Sequence, residues 1–131
     1  MRRLTVFGMA LMLASPLSAR PFQAENRVTV VSAPGGFDVQ SDGGFGARGM
    51  WCAAAHYARE VSGAEGTARL YIAQGRTPGL GQRAPVRFTL DPTGLIPAPV
   101  TVVGASLRRA GSTLSVDHAY SFCADARLIN R

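Results

Sequence analysis

The spacing of apolar and polar positions changes character several times along the chain. Residues 27–31 (RVTVV) form a β-branched run closed by the turn-forming APGG of 33–36, and residues 37–40 alternate apolar and polar; together they predict a hairpin. Glycines at 43, 44, 46 and 49 interrupt the pattern. Beyond them Met50, Ala54, Tyr57 and Val61 recur at i, i+4, i+7 and i+11, the stripe of an amphipathic helix, with Ala53 and Ala58 on its flanks. The spacing predicts a helix over 50–62, and Gly63 stands where a C-terminal cap belongs.

The second half reads first as strands. Residues 68–73 (ARLYIA) and 85–90 (PVRFTL) flank a Gly/Pro loop at 75–83, which predicts an antiparallel pair. Asp91-Pro92-Thr93-Gly94 is a turn signal, and 100–103 offers a further strand, an edge strand because Pro97 and Pro99 precede it. In 115–128 two periods compete. Leu114, Val116, His118, Tyr120 and Phe122 alternate like a strand face, whereas Val116, Ala119, Tyr120, Cys123 and Ala126 follow helical spacing. Ser115 as N-cap, Asp117 in the first turn and Arg127 in the last favour the helix. The pattern predicts an α+β fold: a small antiparallel sheet of three to five strands with one or two helices on one face.

Composition agrees with a packed core. Of 131 residues 47% are hydrophobic and 17% charged, the balance of an ordinary folded domain rather than a disordered tail. The formal net charge is +6, and every basic residue is Arg. With abundant Ala, Gly and Pro, that bias reads as GC-rich coding, so much of the basic excess is compositional.

The N-terminus changes the count. Arg2 and Arg3, an apolar stretch over 4–17 and the small-residue site Leu17-Ser18-Ala19 follow the secretory pattern, which predicts a signal peptide at 1–19 and a single α+β domain at 20–131. The apolar run is too short for a membrane anchor, contains Pro16 and stops at Arg20. Export implies a periplasmic or secreted location, so Cys52 and Cys123 are expected to form one disulfide rather than a metal or redox site. Outside the cytoplasm the anions that a basic surface meets are acidic or phosphorylated glycans, lipid headgroups and acidic envelope proteins rather than nucleic acid.

Four constellations could carry chemistry. Gly44-Phe45-Gly46-Ala47-Arg48-Gly49 matches G-x-G-x-x-G between a strand and a helix, but no repeated parallel βαβ pattern supports a dinucleotide site; the simpler reading is a flexible glycine linker into the helix, and a weaker one is an anion site at the helix start assisted by Arg48. Cys52, His56 and Arg59 share the helix face opposite the apolar stripe. With His118 or Cys123, Cys52 and His56 could ligate a metal, but the paired clusters of structural zinc sites are missing, and neither metal nor cofactor is expected. Arg69, Arg76, Arg83 and Arg87 gather around the central hairpin, where Tyr71 and Phe88 interleave, and Arg108-Arg109 is the one adjacent basic pair after residue 19. Arg48, Arg76, Arg83, Arg108 and Arg109 are the candidate anion-binding residues, and the loop at 75–83 is a candidate contact surface for a protein partner.

A helix-borne Cys52 followed by Asp117-His118-Ala119 resembles, over about six residues, the papain-like cysteine peptidases. The resemblance implies a Cys52/His118 nucleophile and base. Against it, Trp51 precedes Cys52 where that family has an aromatic after the cysteine, and neither an orienting Asn nor an oxyanion glutamine is evident. The stretches 51–64, 68–76 and 86–95 resemble small exported proteins of alphaproteobacteria-like, GC-rich genomes, a resemblance that implies export and no activity. The expectation is therefore an exported, disulfide-stapled, non-catalytic binding or accessory module of the bacterial cell envelope. The alternative is a small cysteine-dependent hydrolase using Cys52 and His118.

Overall fold

A computed structural model describes residues 20–77 and 84–129 of the chain. The expected signal peptide and Arg83 lie outside the described residues. Seven strands form one sheet in the order β1-β2-β3-β5-β4-β7-β6. They are β1 (Phe22–Gln23), β2 (Thr29–Ala33), β3 (Gly36–Val39), β4 (Arg69–Gln74), β5 (Val86–Thr89), β6 (Ala98–Pro99) and β7 (Ser112–Ser115). Four helices accompany them: α1 (Gly46–Glu60), α2 (Val103–Ser106), α3 (Val116–Ser121) and α4 (Ala124–Ile129). The α+β class stands, with more strands and helices than the sequence pattern predicts, because several elements are only two to four residues long.

The hairpin β2–β3 and the antiparallel pair β4–β5 form where the alternation places them. Pairing is antiparallel everywhere except between β6 and β7. Since β3 and β4 both run antiparallel to β5, they run parallel to each other, with β5 inserted between them and α1 as the crossover. Alternate residues point to one covered face: Val30, Val39, Leu70, Ile72, Val86 and Phe88 are fully buried there. The opposite face keeps polar partners, among them the Asp38–Arg87 pair joined across β3 and β5 by two bonds of 2.9 and 3.1 Å.

Helix α1 starts four residues before the expected Met50, so the glycine cluster is partly helical rather than a linker. Tertiary contacts explain the extension: the buried Asn26 side chain donates to the Gly49 carbonyl at 2.8 Å. From Gly49 to Ala55 every residue of α1 is buried. The sheet takes one side of the helix, while α2 and α3 take others. On the supposed polar face Cys52 is buried, His56 half-buried and Arg59 exposed, whereas Val61, assigned to the apolar stripe, is 56% exposed just past the helix end. Gly63, at φ 66°, turns the chain in the left-handed region at that end, and the Ala64 N–H returns to the Ala58 carbonyl at 2.9 Å.

The expected strand at 100–103 is replaced by β6 just before it and by the start of α2. Ala98 and Val100 donate to Gly111 and Thr113, so Pro99, which has no N–H, falls at the unpaired position between them on the sheet edge. Both periods of 115–128 have a physical source. Strand β7 ends at Ser115, whose hydroxyl accepts the His118 N–H at 3.1 Å and starts α3. At Phe122 and Cys123 the chain tightens into i to i−3 bonds before α4 begins.

Candidate functional site

Cys123 occupies that corner between α3 and α4, and its sulfur is bonded to Cys52 in the middle of α1. Both cysteines are wholly buried, and the cross-link spans 71 residues of sequence. Cys52 therefore presents no thiolate. His118 sits in an exposed position on α3 with its ring 5.5 Å from that of Phe122. The Cys52/His118 pairing implied by the peptidase resemblance is overturned at its nucleophile, since the sulfur is held in the cross-link. Among the described residues no group of three or more His, Cys, Asp or Glu side chains gathers as a metal ion would need.

His56 belongs to a surface network on the same side of the molecule. Its Nδ1 accepts the Glu25 N–H at 3.0 Å, and the Glu25 carboxylate receives the Tyr120 hydroxyl at 2.8 Å and two donors from Arg127. The bond to Glu25 is the main reason that the Tyr120 phenol is pushed above its usual range. Arg59 stacks 4.2 Å from the centre of the Tyr120 ring. These contacts fasten the chain between β1 and β2 to α1, α3 and α4. The network was not legible in sequence, because Glu25 lies 95 residues from Tyr120 and 102 from Arg127.

The five candidate anion-binding arginines separate. Arg48 bonds Asp125 through Nε and Nη2 at 2.8 and 3.1 Å and lies over the Phe122 ring. That bond raises the Arg48 pKa and lowers that of Asp125. Arg48 is therefore a strut between α1 and α4, not an anchor for a phosphate at the helix start. Arg109 lines a shallow depression of about 170 Å³ together with Val100, Val102 and Ala105.

The backbone segments that carry Arg76 and Arg108 are brought together. Strand β4 carries a bulge between Ile72 and Gln74, after which the Arg76 N–H donates to the Leu107 carbonyl at 2.6 Å. Gly75 makes this approach possible, since a Cβ there would stand 2.7 Å from the Arg108 carbonyl oxygen. The Arg76 guanidinium turns toward the chain ahead of α1, where Nη2 donates to the Ser41 hydroxyl at 2.6 Å and to the Met50 sulfur at 3.0 Å. Its Nε–H is buried without an acceptor. Burial first, and the nearby charge of Arg108 second, push the Arg76 pKa down. Among the described residues no carboxylate pairs with either arginine.

No family model, curated protein or solved structure matches the chain. Sequence spacing groups Arg76 with Arg69 and Arg87, its neighbours along the hairpin. The structure instead sends Arg69 to the Thr113 hydroxyl and Arg87 to Asp38, while Phe88 is a core residue. Nothing in the spacing marks Ser41 or the Met50 sulfur, because Ser41 lies 35 residues from Arg76 and Met50 fits the apolar stripe of α1.

Proposed function

We propose that the chain is an exported, disulfide-stapled binding or accessory domain of the bacterial cell envelope, acting without covalent chemistry. The observation that carries this reading is the buried Cys52–Cys123 bond. A cross-link of this kind persists in oxidising compartments and is rare where thiols are kept reduced. It fits the secretory pattern of the first nineteen residues and leaves Cys52 unable to act as a nucleophile. The arginines without carboxylate partners suit a domain that meets anionic groups of the envelope, whether on a glycan, a lipid headgroup or a protein.

Intact-mass measurement of the protein recovered from the periplasm tests the reading in one step. The expected species begins at Arg20, is two hydrogens lighter than its reduced form and takes up no alkylating reagent before reduction. A species that retains residues 1–19 in the cytoplasm, or one with two alkylatable thiols, would overturn it.

A further inference from the structure

The backbone packs together two chain segments that each carry an arginine with no carboxylate partner among the described residues. The Arg76 N–H to Leu107 bond and the close packing of Gly75 on Arg108 fix the end of β4 against the turn between α2 and β7. A guanidinium offers five N–H donors. For Arg76 the acceptors among the described residues, Ser41 and Met50, are both neutral and both served by Nη2, while Nε has none. Arg108, on the adjoining turn, is exposed, and its charge is near enough to lower the Arg76 pKa. Buried polar groups in folded proteins are nearly always satisfied, and an unsatisfied one beside a like charge marks a place where a missing partner belongs.

We propose that Arg76 and Arg108, with the Ser41 hydroxyl at their side, bind a small dianionic oxyanion, a phosphate or the phosphate end of a monoester. Two cations without local compensation match a dianion; a carboxylate would neutralise only one of them. Planar guanidinium donors also suit phosphate oxygens better than a point charge would. Arg48, engaged with Asp125, takes no part. The site deepens the binding-domain reading, yet its test needs only the purified oxidised protein, so failure here would leave the mass measurement of export and disulfide untouched.

The test is thermal unfolding at pH 8 with sodium phosphate, phenyl phosphate or sodium acetate, each balanced with sodium chloride to one ionic strength. Ligand at ten times its Kd should raise Tm by about 5 °C for a domain of this size. Phosphate or phenyl phosphate should do so and acetate should not; a response to inorganic phosphate alone assigns the site to the free ion, and a response to the ester shows that a phosphorylated partner can enter. Arg108→Gln, an exposed change, should lose most of the phosphate shift and raise Tm in chloride alone, because the charge opposing Arg76 is gone. Arg76→Gln should abolish the shift, whereas Arg48→Gln should keep it. The Arg76 Nε–H resonance should move on titration with phosphate. Equal shifts with phosphate and acetate, or an unchanged phosphate shift in Arg108→Gln, would overturn the proposal.

Discussion

Arg27 is the one non-glycine position among the described residues with a left-handed backbone, at φ 67° in the turn joining β1 to β2. The strain is local. An L side chain in that region costs roughly 1–2 kcal/mol, while glycine returns part of the gain through its freer unfolded chain. The Arg27 side chain is exposed and its N–H bonds the Ala24 carbonyl at 2.9 Å, which glycine would retain. Arg27→Gly should therefore stabilise the domain by about 0.5 kcal/mol in a urea titration with an unchanged slope; a loss of stability would show that Arg27 makes a favourable contact. The β-branched neighbours of Arg27 point to a strand position that its backbone does not adopt, since β2 begins at Thr29. Side-chain pairing was the least legible level throughout, because the partners of Arg48, Arg76 and Arg127 lie 77, 35 and 102 residues away and spacing carries no trace of them. What was legible was residue type with local meaning: Ser115 as a cap, Gly63 at a helix end, Asp91-Pro92-Thr93-Gly94 as a turn closed by the Leu95 N–H to Pro92 carbonyl bond.

Between elements, the Arg48–Asp125 bond ties the first turn of α1 to the short α4, and its effect on Asp125 fixes a pH dependence. The folded Asp125 carboxyl titrates below its unfolded value because Arg48 hydrogen-bonds to its charged form. At pH values near the unfolded carboxylate pKa of about 3.9 the unfolded chain binds more protons at this position. The stabilisation is thus present in full above that range and is lost as pH falls through the folded pKa. Both partners are partly exposed, so the contribution is modest and screened by salt. Asp125→Asn should flatten the acid limb of the stability curve below about pH 4 and leave the curve's shape above pH 6 unchanged. An acid limb identical to that of the native protein would rule the bond out as a contributor. The elements themselves were visible in sequence wherever their period was local, as in β2–β3, β4–β5 and the core of α1. They were blurred where two of them abut, as β7 and α3 do at Ser115, or where a distant residue extends one, as Asn26 does for α1.

For the molecule as a whole, the cross-link outweighs any single charge pair. Cys52 sits in the central helix and Cys123 at the corner of the C-terminal pair, so the bond closes a loop containing the second half of α1, strands β4 to β7 and two short helices. In the chain-entropy account, a closed loop of this length stabilises the folded state by about 4 kcal/mol, a large share of the 5–15 kcal/mol typical of a whole domain. Reduction under native conditions should be slow, because both sulfurs are buried and a reductant must wait for the helices to part. Once reduced, the protein should unfold about 15 °C lower or more. The same drop is expected for Cys52→Ala, for Cys123→Ala and for the double variant, each allowing for the small cavity left by the sulfur. Since all three lose one and the same bond, the effects should fail to add, and none of the three should respond to reductant. If instead Cys52→Ala were far more damaging than Cys123→Ala, packing of the α1 midsection against its neighbours would carry the stability, and the cross-link would be a consequence of the fold rather than one of its supports.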